Sequence, residues 1–316
     1  MNVTKLTQAN GISMFRKGMV ISSDRTPIGY RYTGSGPGLI IIHDSLRSSA
    51  FYESLGASLT DHNTVYIPDR RGYGDSGPAG AEYTIQKEIE DLQTLMESTG
   101  ARIVFGHGMG GVYALEAALQ LPIEKLVLYE PAISIQHSLP LNWLPAYDQA
   151  LKENHYAKAM AILMKGLPMD ASGKLPQWML QLYSSLLLAG DKQEDYLELL
   201  PGMVWEGNAI KELDSTYERY AGIKADTLLL GGTDSPLFLL AMLPLLAEQI
   251  PAVRLKLFPG QSHTAPDIDA PQLVALHTKD FLSNPQTIVR KEIETKIEVY
   301  QKPYLLMPSA SLVTED

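Results

Sequence analysis

The chain has 316 residues, 45% of them hydrophobic, enough to bury a core in one large domain or two small ones. Its 26 Lys and Arg against 36 Asp and Glu give a formal net charge of −10, so it carries no basic field to hold a phosphate backbone or an anionic membrane face. Zero cysteines exclude disulfides, thiolate metal ligands and a cysteine nucleophile.

In chain order, residues 1–11 hold one lysine and no apolar run of signal-peptide length, and no later segment approaches the roughly 18 apolar residues of a membrane span. A cytoplasmic protein that binds neither nucleic acid nor membrane is the expectation. Two β-rich runs, 19–22 and 28–32, are joined by a link too short for a helix and predict an antiparallel hairpin at a sheet edge. The third strand, 39–43, opens on the continuous apolar run Leu39-Ile40-Ile41-Ile42, which suits burial on both faces, and runs into His43-Asp44-Ser45. Strand 65–68 follows and leads into Asp69-Arg70-Arg71-Gly72-Tyr73-Gly74-Asp75-Ser76-Gly77, whose first two residues are expected to tie down the turn.

A helical spacing over 83–98 precedes strand 102–106, which enters Gly106-His107-Gly108-Met109-Gly110-Gly111 and then a helix over 109–121. Strand 125–130 ends on Tyr129-Glu130 before Pro131. The alternation then stops over roughly 135–220, a helix-like insertion holding all three tryptophans (Trp143, Trp178, Trp205) and Met160, Met164, Met169, Met179 and Met203. It resumes with strand 227–230 and Gly231-Gly232-Thr233-Asp234, helix 237–249, strand 254–258 with Pro259-Gly260-Gln261-Ser262-His263, and helix 271–282. The alternately charged stretch 289–300 reads as an exposed helix with a narrow apolar stripe, docking on its own domain in one reading and on a second copy of the chain in the other. The whole predicts an α/β fold: an eight-stranded, mostly parallel sheet with helices on both faces. Its expected units are a core in two parts (1–134 and 223–283), a helical cap (135–222) and a C-terminal extension (284–316).

The strand–turn–helix at Gly106 to Gly111 is the setting of a nucleophile elbow. With the segments at His43-Asp44, Asp69 to Gly77, Asp234 and His263 in that order, the chain from about Gly18 to Leu282 resembles the α/β-hydrolase superfamily, most of all its small bacterial-type members with Tyr-Glu-Pro after the sixth strand. The resemblance implies the α/β-hydrolase fold and a site at the carboxyl ends of the strands. It places the catalytic acid at Asp234 or, alternatively, at Glu130, and the base at His263. The oxyanion hole falls to the backbone amides of Ser45 and Met109. The sequence departs from that pattern twice. The nucleophile position is Gly108, with no side chain, and its neighbours His107 and Met109 supply no oxygen or sulfur nucleophile. Where the family commonly has glycine this chain has Asp44, whose carboxylate, if ionised and turned inward, would oppose an oxyanion by several kcal/mol.

Three readings stay open. The chain is an enzyme using a His263–Asp234 or His263–Glu130 dyad for general-base chemistry without covalent catalysis (cyclisation, elimination, isomerisation or water-mediated hydrolysis), an inactive homologue that binds a ligand or partner, or an engineered Ser-to-Gly form of an esterase-like or lipase-like enzyme. Glycine at an elbow with positive φ avoids about 1–3 kcal/mol of strain, which suits all three. Asp234 equally suits capping the helix that begins near Ser235-Pro236. His43 and His107 read as packed histidines, and the histidine spacing supports no metal. An insertion rich in Trp143, Trp178, Trp205 and methionine, together with Asp44, points to a pocket for a hydrophobic or aromatic small molecule, with no cofactor expected.

Overall fold

The computed structural model describes residues 14–80, 82–169, 171–189, 197–283 and 292–294. All eight expected strands form: β1 (Arg16–Ile21), β2 (Pro27–Gly34), β3 (Gly38–Ile42), β4 (Thr64–Pro68), β5 (Ile103–His107), β6 (Lys125–Tyr129), β7 (Asp226–Gly232) and β8 (Val253–Phe258). They make one sheet in the order β1-β2-β4-β3-β5-β6-β7-β8. The β1–β2 hairpin and the β2–β4 pair are antiparallel, and every later pair is parallel.

The C-terminal stretch departs from expectation. Within the expected helix 289–300, Glu292–Glu294 instead forms β9, parallel to β8 with Leu255 opposite Ile293. The triplet Glu-Ile-Glu alternates with a period of two as readily as it fits a helix, and pairing along the outer side of β8 decides the matter. The rest of 284–316 lies outside the described residues.

The first helices are α1 (Glu53–Ala57), α2 (Ile85–Thr99) and α3 (Gly108–Ala118). Between β6 and β7 come α4 (Leu144–Lys152), α5 (Tyr156–Gly166), α6 (Gln177–Leu187) and α7 (Gly202–Leu213), and after β7 come α8 (Leu237–Leu240), α9 (Met242–Gln249) and α10 (Pro271–Ser283). The expected single helix 237–249 is broken at Ala241, because Pro244 has no N–H to donate to the Leu240 carbonyl and its ring crowds that oxygen. Side chains of β3 alternate between two cores. Ile40 and Ile42 join the cluster with residues of α2, α3 and α9, while Leu39 and Ile41 join the one with α1 and α10. That explains the uninterrupted apolar run: both faces of β3 are covered.

The helices between β6 and β7 have a small core of their own, with Trp143, Leu144, Tyr147, Ala159, Leu163 and Met203, and Leu46 of the loop after β3 packs against it. A buried ion pair joins this insertion to the sheet. Arg70, after β4, bonds to Glu206 of α7 and lies 3.4 Å from Glu88 of α2, with all three side chains under 5% exposed. Arg70 also serves its own turn as expected, since its carbonyl accepts from the Tyr73 amide and its guanidinium lies 5.0 Å from the Tyr73 ring centre. Asp69 ties down the same turn, accepting from the amides of Ser49 and Asp75.

Candidate active site

The turn from β5 into α3 places Gly108 at φ +52°, a left-handed conformation that glycine adopts without penalty. Gly110 lies so close to β3 that a Cβ there would meet the Ile42 carbonyl oxygen at 2.4 Å. The elbow is thus pressed against the end of the strand that delivers Asp44.

Asp44 fills the volume in which a side chain on Gly108 would sit. A Cβ built on Gly108 would lie 2.0 Å from Asp44 Oδ1 and 2.3 Å from its carboxyl carbon. The carboxylate is held on both oxygens: Oδ1 accepts from the Met109 amide at 2.7 Å, and Oδ2 lies 3.0 Å from His263 Nε2. Behind it, His263 Nδ1 lies 2.7 Å from Glu130 Oε2, and Glu130 Oε1 accepts from the Gly232 amide (2.6 Å) and the Ser235 hydroxyl (2.7 Å). A continuous array results: Asp44, His263, Glu130.

Of the two acid candidates, Glu130 reaches the ring. Glu130, at the end of β6 with φ +43°, is fully buried and bonded to His263, whereas Asp234 accepts from its neighbour Thr233 and its amide donates to the Gln261 carbonyl. Asp234 thus sits in the turn after β7 and, among the described contacts, makes no bond to His263, so the fold brings Glu130 and not Asp234 to the ring. Of the expected oxyanion donors, the Met109 amide is turned to the site but is taken by Asp44. The inward turn of Asp44 is therefore what the extra carboxylate brings.

Proton positions follow from the partners. Both nitrogens of His263 face carboxylate oxygens, so both must donate and the ring is an imidazolium. Burial alone would lower its pKa, but the hydrogen bonds and charges of Asp44 and Glu130 outweigh it and push His263 up to about 10. For Asp44 burial acts upward, yet His263, His107 and the Met109 amide hold its carboxyl well below the usual carboxylate range. The two flanking histidines are opposite in kind. His107 Nε2 donates to the His263 carbonyl, so its Nδ1 accepts from the Tyr52 hydroxyl, which in turn accepts from the Asp44 amide. His43 Nδ1 donates to the Asp44 carbonyl and its Nε2 accepts from the Arg70 amide. Burial brings both rings down to about 3, so they are neutral supports, as packed histidines should be.

Asp44, His107 and His263 offer ligand atoms within 4.8 Å of one another. Both nitrogens of each ring already have hydrogen-bond partners, so a cation here would have to displace a proton or a partner from each.

A pH prediction arises from this array. A raised His pKa contributes stability in full below the unfolded value of 6.5 and loses it as pH climbs through about 10. Unfolding free energy of the native chain, compared with that of His263→Gln by urea titration, should show an excess pH-dependent loss of a few kcal/mol between those pH values. A parallel pair of curves would remove the imidazolium from the folded state.

The three expected pocket tryptophans lie in separate surroundings. Trp143 belongs to the insertion core and donates to the Pro140 carbonyl; Trp205 stacks on Tyr83; Trp178 is 67% exposed on α6, one turn from the exposed Leu182. None of these contacts includes Asp44 or His263. Two small cavities also lie elsewhere, one lined by Val112, Ile133, Ile210 and Tyr220, the other by Ile42, Arg70, Glu88 and Tyr113. The array itself reaches solvent, since the side chains of Asp44 and His263 are 18% and 10% exposed. Sequence reading did not single out Tyr52 or the Arg47–Asp267 ion pair (2.5 Å), which joins the loop after β3 to the turn after His263, and it named Ser235 only at a helix start. No motif marks these residues; only their place in the fold does.

A parallel sheet with an elbow after β5 and a histidine after β8 defines an α/β-hydrolase fold, and the model of the alpha/beta hydrolase family matches residues 39–276. The chain belongs to that family. An alpha/beta hydrolase from Sphaerobacter thermophilus superposes with a TM-score of 0.71 at 28% identity, over 84% of this chain and 100% of that one. An uncharacterised protein of Mycobacterium tuberculosis is 33% identical over 113 residues, 33% of each chain. A pimeloyl-[acyl-carrier protein] methyl ester esterase of Xylella fastidiosa is 25% identical over 130 residues, 39% of this chain and 50% of that one. The chain spans a third to a half of the length of these two curated relatives. Among the described residues no helix is long and apolar enough to cross a membrane.

Proposed function

We propose that this chain is an enzyme that converts a hydrophobic small molecule through His263, held between Asp44 and Glu130, without a serine nucleophile. The observation that carries the reading is the array itself: a partly exposed imidazolium bonded on both sides to carboxylates, at the place where the fold concentrates its chemistry. An isolated structural histidine needs no such arrangement. With both nitrogens protonated, His263 starts as a proton donor, and it becomes a base only once Asp44 is neutralised or displaced. Glu130, saturated by Gly232 and Ser235, keeps the ring oriented through either state. The apolar insertion, whose core Leu46 joins two residues beyond Asp44, favours an apolar substrate over a sugar or a phosphate.

A second reading is favoured by one fact. Both Asp44 oxygens already have partners, so the same array would also stabilise a binding protein whose chemistry has been abandoned. The test is a panel of apolar esters, lactones and epoxides, together with a fluorophosphonate probe. Expected are no serine labelling and a turnover that His263→Ala lowers by about 10²- to 10⁴-fold, with Glu130→Gln costing more than Asp234→Asn. Labelling of a serine near the site, or turnover indifferent to His263, would overturn the enzyme reading, and a ligand bound unchanged by chain and variant alike would establish the second.

A further inference from the structure

We propose that Asp44 is a nucleophile that has moved from the elbow to the neighbouring strand end, and that its substrate class is an epoxide with apolar substituents. This rests on the reading that His263 handles protons in an active enzyme, and adds to it a covalent step. The carboxylate occupies the volume of the missing side chain on Gly108, so a reacting atom that approaches the elbow meets an Asp44 oxygen first. Oδ1 sits on the Met109 amide at the start of an eleven-residue helix, and Oδ2 faces the imidazolium.

Three features select the chemistry. A carboxylate that binds two donors and stays ionised is a weak base, so its reactivity lies in attack on carbon. Attack on an acyl carbon would give a reactive anhydride, whereas attack on saturated carbon gives an ester that water can split. An oxygen leaving group needs a proton, and a protonated nitrogen lies 3.0 Å from the attacking oxygen; a halide would leave that proton without a role.

The steps balance. An Asp44 oxygen forms a bond to one epoxide carbon as that carbon's bond to the ring oxygen breaks, and the freed alkoxide takes the Nε2 proton of His263. His263 is now neutral beside a neutral ester. It takes a proton from water, whose oxygen adds to the Asp44 carboxyl carbon while Oδ1 gathers negative charge on the Met109 amide. Collapse expels the substrate oxygen, which takes the proton of the new carboxyl group. Epoxide and water have become a diol, Asp44 is again a carboxylate and His263 again an imidazolium.

The test mixes the whole chain, in excess, with styrene oxide or 1,2-epoxyoctane, quenches in acid and maps adducts by peptide mass spectrometry, and separately runs many turnovers in ¹⁸O water. Expected are one adduct per chain on the peptide holding Asp44, ¹⁸O in the Asp44 carboxyl group, loss of the adduct in Asp44→Asn, and slowing of both adduct formation and its hydrolysis in His263→Gln. Both wild-type readouts stand even if a variant fails to fold. Diol formed with neither adduct nor ¹⁸O in Asp44 would overturn the nucleophile while leaving a His263-dependent enzyme in place. Turnover of esters or lactones but of neither epoxide would overturn both the substrate class and the ester-forming step at Asp44, while leaving a His263-dependent enzyme in place. Silence on the whole panel of apolar substrates would sink both proposals.

Discussion

The double variant Gly108→Ser with Asp44→Gly is expected to cleave p-nitrophenyl acetate with a burst of product, while Gly108→Ser alone is expected to be both inactive and less stable. In the single variant the new Cβ would lie 2.0 Å from Asp44 Oδ1, so the carboxylate must leave its bonds to Met109 and His263. The serine would also sit at φ +52°, a strain of about 1–3 kcal/mol. Removing Asp44 as well frees the volume, the Met109 amide and His263 Nε2 together. With one carboxylate partner instead of two, His263 also drops from its raised pKa of about 10 toward the range where it can serve as a base. His263→Ala in the double variant should then lower the ester rate by about 10²- to 10⁴-fold. A folded double variant without a histidine-dependent burst would show that loss of the serine is not what separates this site from ester chemistry.

The second large effect lies away from the array. Arg70→Met is expected to cost about 3–5 kcal/mol of unfolding free energy, because it strands two carboxylates, Glu88 and Glu206, in a space from which water is largely excluded. Glu88 is already pushed up to about 7 by burial, with the charge of Arg70 acting against it. Chemical denaturation at pH 8 reads the loss. Changing Glu88 and Glu206 to glutamine in the same chain should recover part of it, since the stranded charges and not the lost packing dominate. If Arg70→Met unfolds at the native denaturant midpoint, the buried pair does not hold the insertion to the sheet.

Legibility differed from element to element for physical reasons. Strand positions could be read because apolar runs and turn residues are local signals, and β3 announced its two-sided burial in four consecutive apolar residues. The elbow was legible for the same reason: strand, glycines and helix follow one another without a gap. The break at Ala241 is written locally in Pro244, whereas Glu292–Glu294 carries two periods at once and pairing with β8 chooses between them. The choice of Glu130 over Asp234 was not written locally, since each follows a parallel strand and only the packing of β6, β7 and the His263 loop decides which carboxylate reaches the ring.

What the sequence determined by itself is the fold, the elbow, and the absence of a side chain at Gly108, all fixed by residue type and spacing along the chain. What only the tertiary structure decided is the identity of the group that fills the volume over Gly108. Asp44 and Gly108 are far apart in sequence, and a carboxylate after β3 can point to solvent or to the elbow at no cost visible in the chain. It turns inward because β3 and β5 are neighbours in the sheet, because Gly108 leaves room, and because the Met109 amide and the His263 imidazolium offer a half-buried anion two donors where they converge.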